Sequence, residues 1–282
     1  MKKIISIIMM SILTALCAFS AAGCSGGEKY PVYIIIGQSN ASGNGRIADL
    51  SDKYLEKEYE NVSIYCAGTA NSTVKGKLLN VSTAVGQGSI DTGRFGVEVG
   101  IAEKFTEKGV KAGLIKCGFD GASINLSNTN YGTWWTEISE IPVNVTKCYD
   151  SFKVALVSGL EEYKKAGYEP VIKGVIWLQG ESNAGNQSYA DDLDKLILKI
   201  RGDLNLSDLY FVAGTISYVA PGKYTEDCAV NKAIRALKDK PNAGYVESGR
   251  YPTNPSDPYH WTGDDLVRIG EEFAADLLNH TL

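Results

Sequence analysis

Histidine is scarce in this chain: 282 residues contain two, His260 and His280. His280 stands two residues from the C-terminus, where chain ends fray. A hydroxyl nucleophile needing an imidazole base therefore has one candidate, His260. Cysteine is sparse as well, six in all, and no two form a Cys-x-x-Cys spacing. That excludes the usual zinc frameworks, and no metal site is expected. Basic charge is also short, with 28 Lys and Arg against 33 Asp and Glu. A net charge of −5 argues against nucleic acid and against electrostatic adhesion to anionic lipid. Repeats, low-complexity tracts and a convincing interdomain linker are missing too.

One long apolar run is present, Ile4 to Phe19, preceded by Lys2-Lys3 and followed by Ala21-Ala22-Gly23. This order of basic, apolar and small residues reads residues 1–23 as an export leader. The run is too short, and too closely followed by small residues, to serve as a transmembrane helix. Cys24 stands where a bacterial lipobox places its lipidated cysteine, with Ala21 where Leu is usual. The expectation is a lipoprotein signal peptide over 1–23, a lipid on Cys24 and a flexible spacer over 24–29. The protein is then exported, at the cell surface or in the periplasm, and touches membrane only through that lipid. Losing Lys2 and Lys3 makes the balance two units more acidic. Export permits disulfides, and Cys66, Cys117, Cys148 and Cys228 allow three pairings that spacing does not rank. Cys117 ends an apolar strand and is expected as a buried free thiol.

The remainder, 30–282, is long enough for one sizeable domain. Val32–Ile36, Ala112–Cys117, Val171–Leu178, Leu209–Ile216 and Ala243–Val246 read as strands. Between and after them, helical periodicity covers 95–108, 149–166, 189–201, 225–238 and 262–278. Thr262 and Asp265 suggest a capping box for the last helix. Residues 60–92 read as loops with a short strand at Val62–Tyr65, and 118–146 as a long insertion. Alternating strands and helices imply an α/β fold, a three-layer α/β/α sandwich around a mostly parallel sheet. Ligands of such sheets sit at the carboxyl ends of the strands. Four segments fall just past strand ends: Ser39, Gly118 to Gly121, Gln179 and the loop 250–260.

Gly37-Gln38-Ser39-Asn40 follows the first strand and presents a serine on a glycine turn. Ser39 is a nucleophile in one reading and a helix cap in the other. Asp257 and His260 are spaced for a carboxylate to hold an imidazole in one tautomer, although the same residues also make a proline-rich turn. Gly121 can offer a backbone N–H to a developing oxyanion, or simply build a turn. Gln179 can donate from its carboxamide to the same oxyanion. Glu181 can bond His260 or a sugar hydroxyl, or cap the following helix with Ser182. Trp134 and Trp135 are candidates to stack on sugar, together with Gln38 and Asn40 as substrate contacts, while Trp177 on a buried strand is expected in the core.

Gly37-Gln38-Ser39-Asn40, Arg94-Phe95-Gly96, Gly121-Ala122-Ser123-Ile124, Trp177-Leu178-Gln179-Gly180-Glu181 and Asp257 with His260 together resemble the sialate O-acetylesterase family. That family includes the acetylxylan esterases of carbohydrate esterase family six, within the SGNH hydrolase superfamily. The blocks occur in the family's order and span nearly the whole domain. The resemblance implies a flavodoxin-like domain removing acetyl groups from sugar hydroxyls without a cofactor. It implies Ser39 as nucleophile, His260 as base, Asp257 as orienting acid, and Ser39, Gly121 and Gln179 as oxyanion donors. Whether Glu181 shares the acid role stays open. Ala41 stands where the family often has Met, and Trp134 comes later after Ile124 than is usual, which bears on the substrate. Two further readings are a non-catalytic carbohydrate-binding surface lipoprotein and a short-chain lipid esterase of the same fold.

Overall fold

The computed structural model describes residues 27–219 and 223–282. The leader, Cys24 and the first part of the spacer lie outside the described residues. The first half of the chain runs β1 (Glu28–Gly37), α1 (Ser39–Ser42), β2 (Gly45–Arg46), β3 (Glu58–Ala67), β4 (Leu78–Ser82), β5 (Arg94–Phe95), α2 (Glu98–Glu107) and β6 (Ala112–Gly118). The second half runs α3 (Cys148–Lys165), β7 (Tyr168–Leu178), α4 (Tyr189–Leu204), β8 (Tyr210–Gly214), α5 (Ala229–Arg235), β9 (Ala243–Val246), β10 (Thr253–Asn254), β11 (Asp257–Trp261) and α6 (Gly263–Thr281).

Seven strands form one sheet in the order β4-β3-β6-β1-β7-β8-β9. Every pair in it is parallel except β3 with β4 at one edge. Strand alternation builds the layers. Val32, Ile34 and Ile36 face a cluster with residues of α3, α4 and α5, whereas Tyr33 and Ile35 face one with residues of α2 and α6. Burying such side chains contributes about 1.5–3 kcal/mol each, and all five are fully buried. This is the three-layer α/β architecture that the alternating pattern implies.

The order also marks a place. β1 lies between β6 and β7, and the chain builds outward from it first on one side, then on the other. The carboxyl end of β1 therefore opens on the crevice where strand order reverses, which is where open α/β sheets bind ligands.

Several expectations are corrected. Glu28 and Lys29 are not spacer but the first residues of β1, paired with Tyr168 and Glu169. Residues 60–92 hold the edge strand β4 as well as a longer β3; Leu78, Leu79 and Asn80 are only half-buried, so β4 carries little alternation to detect. Phe95 pairs with Gly45 in a short ribbon, so α2 begins at Glu98. No capping box opens α6: the Thr262 hydroxyl donates to Asp49 Oδ2 at 2.6 Å instead of capping its own helix. Cys117 is a buried free thiol as expected, and Cys66, Cys148 and Cys228 are free as well, so none of the three possible pairings is made. Burial pushes Cys66 and Cys148 up to about 12 and raises Cys117 as well.

Candidate active site

The serine turn is fixed by backbone crowding. Gly37 has φ 140°, and a Cβ there would sit 2.0 Å from the Leu178 carbonyl oxygen of the neighbouring strand. Gln38 N–H then donates to that same carbonyl at 2.8 Å, turning the chain off the sheet into α1. Ser39 is the first residue of this helix and caps nothing. Its hydroxyl instead meets His260 Nε2 at 2.8 Å. On the other ring nitrogen, Nδ1 lies 2.6 Å from Asp257 Oδ2. With Asp257 ionised, Nδ1 carries the ring hydrogen and Nε2 is left as an acceptor for the serine proton. Asp257 and His260 lie on β11, whose ribbon with β10 replaces the irregular loop expected there. Asp257 Oδ1 accepts the Tyr259 N–H at 3.1 Å, which fixes the carboxylate.

Two backbone donors stand free nearby. Among the described residues, neither the Ser39 N–H nor the Gly121 N–H has a protein acceptor. Gly121 has φ 71°, and its Cα hydrogen is covered by the Tyr131 ring, 2.8 Å from where a Cβ would be. The Ser182 hydroxyl donates to the Gly121 carbonyl at 2.9 Å, so the glycine is held in place.

Three of the expected contacts, Gln179, Asn40 and Trp134, are structural instead, and Gln38 is structural in part. Gln179 Nε2 donates both its hydrogens inward, to the Ala122 carbonyl at 3.0 Å and to Asn183 Oδ1 at 2.7 Å. Its Oε1 accepts the Tyr189 hydroxyl at 2.9 Å, so the carboxamide has nothing left for an oxyanion. Gln38 Oε1 accepts from Gly180 and Ser182 N–H, tying the serine turn to the end of β7, while its side chain also lines the Ser39 cavity as a substrate contact would. Asn40 donates to Glu181 Oε1 at 2.6 Å and to the Tyr259 carbonyl at 3.0 Å, bridging three segments. Trp134 is core, 1% exposed: its indole N–H donates to the Gly37 carbonyl, and its ring packs edge-on against Trp177. Trp177 is buried as expected. Trp135 is half-buried, bonded to Glu140 and covered by Lys195, and does not line the cavity.

Glu181 makes no hydrogen bond to His260, so the carboxylate on that ring is Asp257. Glu181 Oε2 is buried without a partner, and burial pushes the carboxyl above the usual carboxylate range. His280 is far from this site, stacked on Tyr210 beside a cavity at the opposite edge of the sheet.

A cavity of about 440 Å³ opens over Ser39. A profile of the family described as carbohydrate esterase, sialic acid-specific acetylesterase matches residues 29–279. The chain belongs to this family. A probable carbohydrate esterase of Arabidopsis thaliana is 33% identical over 129 residues, spanning 44% of this chain and 46% of that protein. The alignment thus covers under half of that relative's length. The crystal structure of the Arabidopsis thaliana protein has a TM-score of 0.59 at 22% identity, covering 89% of this chain and 99% of that one. NanS gives 0.61 at 15% identity over 90% and 97% of the two chains. A carbohydrate acetylesterase from Xanthomonas citri gives 0.59 at 15% over 89% and 56%. These three structures share the fold of this carbohydrate esterase family member.

The cavity's aromatic groups are tyrosines, not tryptophans: Tyr131, Tyr224 and Tyr259 line it with Asn44 and Asp120. Sequence patterning named none of the five side chains, although Asp120 and Tyr259 fall inside the segments 118–121 and 250–260 that it marked. Tyr259 had a signal, since it stands immediately before His260, whose ring meets Ser39. Tyr131 and Asn44 had none, because loop side chains acquire direction only from the packing beneath them.

Proposed function

We propose that this protein is a serine esterase that removes O-acetyl groups from carbohydrate through an acyl-enzyme. The observation that carries this is the unbroken line of hydrogen bonds from Ser39 through His260 to Asp257 in a cavity at the sheet's reversal point. Family membership supports acetylated carbohydrate as the substrate. A lining of hydroxyls, carboxamides and tyrosines suits a sugar better than a fatty acyl chain.

In the first half-reaction, Ser39 Oγ attacks the acetyl carbonyl carbon as its proton passes to His260 Nε2. Asp257 stabilises the imidazolium through Nδ1. The oxyanion accepts hydrogen bonds from the Ser39 and Gly121 N–H groups, which need no reorganisation. Collapse breaks the ester bond, and His260 returns its proton to the departing sugar oxygen. Water then attacks acetyl-Ser39 with the proton again taken by His260, and acetate leaves as Ser39 recovers its hydrogen.

The test is acetate release from p-nitrophenyl acetate and from an acetylated glycan. Ser39→Ala should lower kcat by roughly a thousandfold or more on both. A variant retaining wild-type turnover would end the proposal.

A further inference from the structure

The donor at Gly121 sits in a tight turn. Ala122 N–H donates to the Phe119 carbonyl at 3.1 Å, so Phe119 to Ala122 close a β-turn. Gly121 has φ 71° while Asp120 is not among the residues of positive φ, which makes the turn type II. Such a turn takes glycine at its third position, and glycine is the residue least able to hold its own backbone still. The two corners are tied down. Phe119 N–H donates to the Gly37 carbonyl at 3.1 Å, and the Ala122 carbonyl accepts from Gln179 Nε2 at 3.0 Å. The span between them, Asp120-Gly121, can still tilt about the line joining those corners. Asp120 gives it no anchor: it is exposed and, among the described residues, has no hydrogen-bond or ion-pair partner.

One polar side chain does reach that span. The Ser182 hydroxyl donates to the Gly121 carbonyl at 2.9 Å. Ser182 is itself held from the nucleophile's side, because its N–H and that of Gly180 both donate to Gln38 Oε1 at 3.4 Å. Gln38 supplies the carbonyl of the peptide whose N–H is the other donor, that of Ser39. Ser182 therefore stands between two donors that follow different strands, β1 and β6, and ties both to the end of β7. Next in the chain, Asn183 Oδ1 accepts the Ile124 N–H at 3.0 Å, so the turn after β7 grips the segment 121–124 at several points. Gln179 and Asn183 are buried beneath the site, whereas Ser182 lines the Ser39 cavity.

An oxyanion site works only as far as its donors are aimed before the reaction begins. The tolerance is about 0.5 Å and 10–20°. We propose that Ser182 is a positioning residue for this site: its hydroxyl fixes the tilt of the Phe119–Ala122 turn and so the aim of the Gly121 N–H. It takes no proton and forms no bond in the reaction, acting through Gly121. The inference rests on the esterase reading of Ser39 and adds a residue outside the line of Ser39, His260 and Asp257.

The experiment compares the wild type, Ser182→Ala and Ser182→Thr in p-nitrophenyl acetate hydrolysis and in NMR relaxation of the Gly121 amide. A misaimed N–H weakens the transition state but not the bound ester, so Ser182→Ala should lose about tenfold in kcat with KM unchanged. Outright loss of a donor costs about a hundredfold or more, which sets the upper bound. Ser182→Thr keeps the hydroxyl and should restore most of the rate. The Gly121 order parameter should fall from about 0.85 to below about 0.6 in Ser182→Ala and stay high in Ser182→Thr. Unchanged kcat in Ser182→Ala, a loss carried by KM, a Ser182→Thr as slow as Ser182→Ala, or a Gly121 amide equally rigid in all three would overturn the inference. Relaxation separates the two readings. A wild type that cleaves no ester ends the esterase reading, while loosening of Gly121 in Ser182→Ala still upholds the role of Ser182 in holding the turn.

Discussion

Glu181 is the residue most at odds with its surroundings. Its Oε1 is satisfied by Asn40, its Oε2 has no partner, and burial holds the carboxyl above its ordinary value of 4.5. A carboxyl that ionises less readily folded than unfolded costs stability once pH rises through its folded value. Below the unfolded value that cost vanishes. Glu181→Gln is neutral at every pH, so it should melt above the wild type at about pH 8. The gap should close by about pH 4. Thermal melts across that range decide it, and a constant difference would place the cost elsewhere. Such local instability is common where groups are positioned for chemistry rather than for packing.

Among elements, β6 and α2 carry a buried ion pair. Lys116 Nζ lies 2.8 Å from Glu98 Oε1, with side chains 2% and 0% exposed. Lys116 also donates to the Gln87 carbonyl, and Glu98 Oε1 accepts the Gly96 N–H. The pair thus staples the segment before α2 to the strand whose end carries the Gly118–Gly121 turn. Removing one partner strands the other charge. Lys116→Met should cost about 3–5 kcal/mol, and adding Glu98→Leu should recover most of the loss. Urea denaturation of the single and double variants tests this; equal losses in both would refute it. Trp134 does comparable work for 118–146, pinning that insertion by its indole to the Gly37 carbonyl. Nothing in the local sequence distinguishes this tryptophan from Trp135, because only the core beneath it selects which indole is buried.

Across the whole molecule, the two ends of β1 define two poles. Glu28 opens the strand opposite Tyr168, and Ser39 follows its far end, about 33 Å away for ten residues. We propose that the protein is exported and held by a lipid on Cys24, four residues before β1. That tether would attach at the pole away from the Ser39 cavity and leave it facing outward. Cys24→Ser should move the protein from the membrane to the soluble fraction with kcat on a soluble acetate ester unchanged; continued sedimentation with membranes would dismiss the tether. The sequence alone determined the layered parallel fold, because alternation of apolar strands and amphipathic helices is a local property of the chain. It also singled out Ser39, Asp257 and His260, which the fold brings into one hydrogen-bonded line, since scarcity of histidine left one candidate base and strand ends localise the site. Only the tertiary structure decided that Gln179, Asn40 and Trp134 are scaffold while Tyr131, Tyr224 and Tyr259 line the cavity over Ser39. A polar or aromatic side chain takes its role from whichever partners folding brings within about 3 Å, and those partners lie far away in sequence.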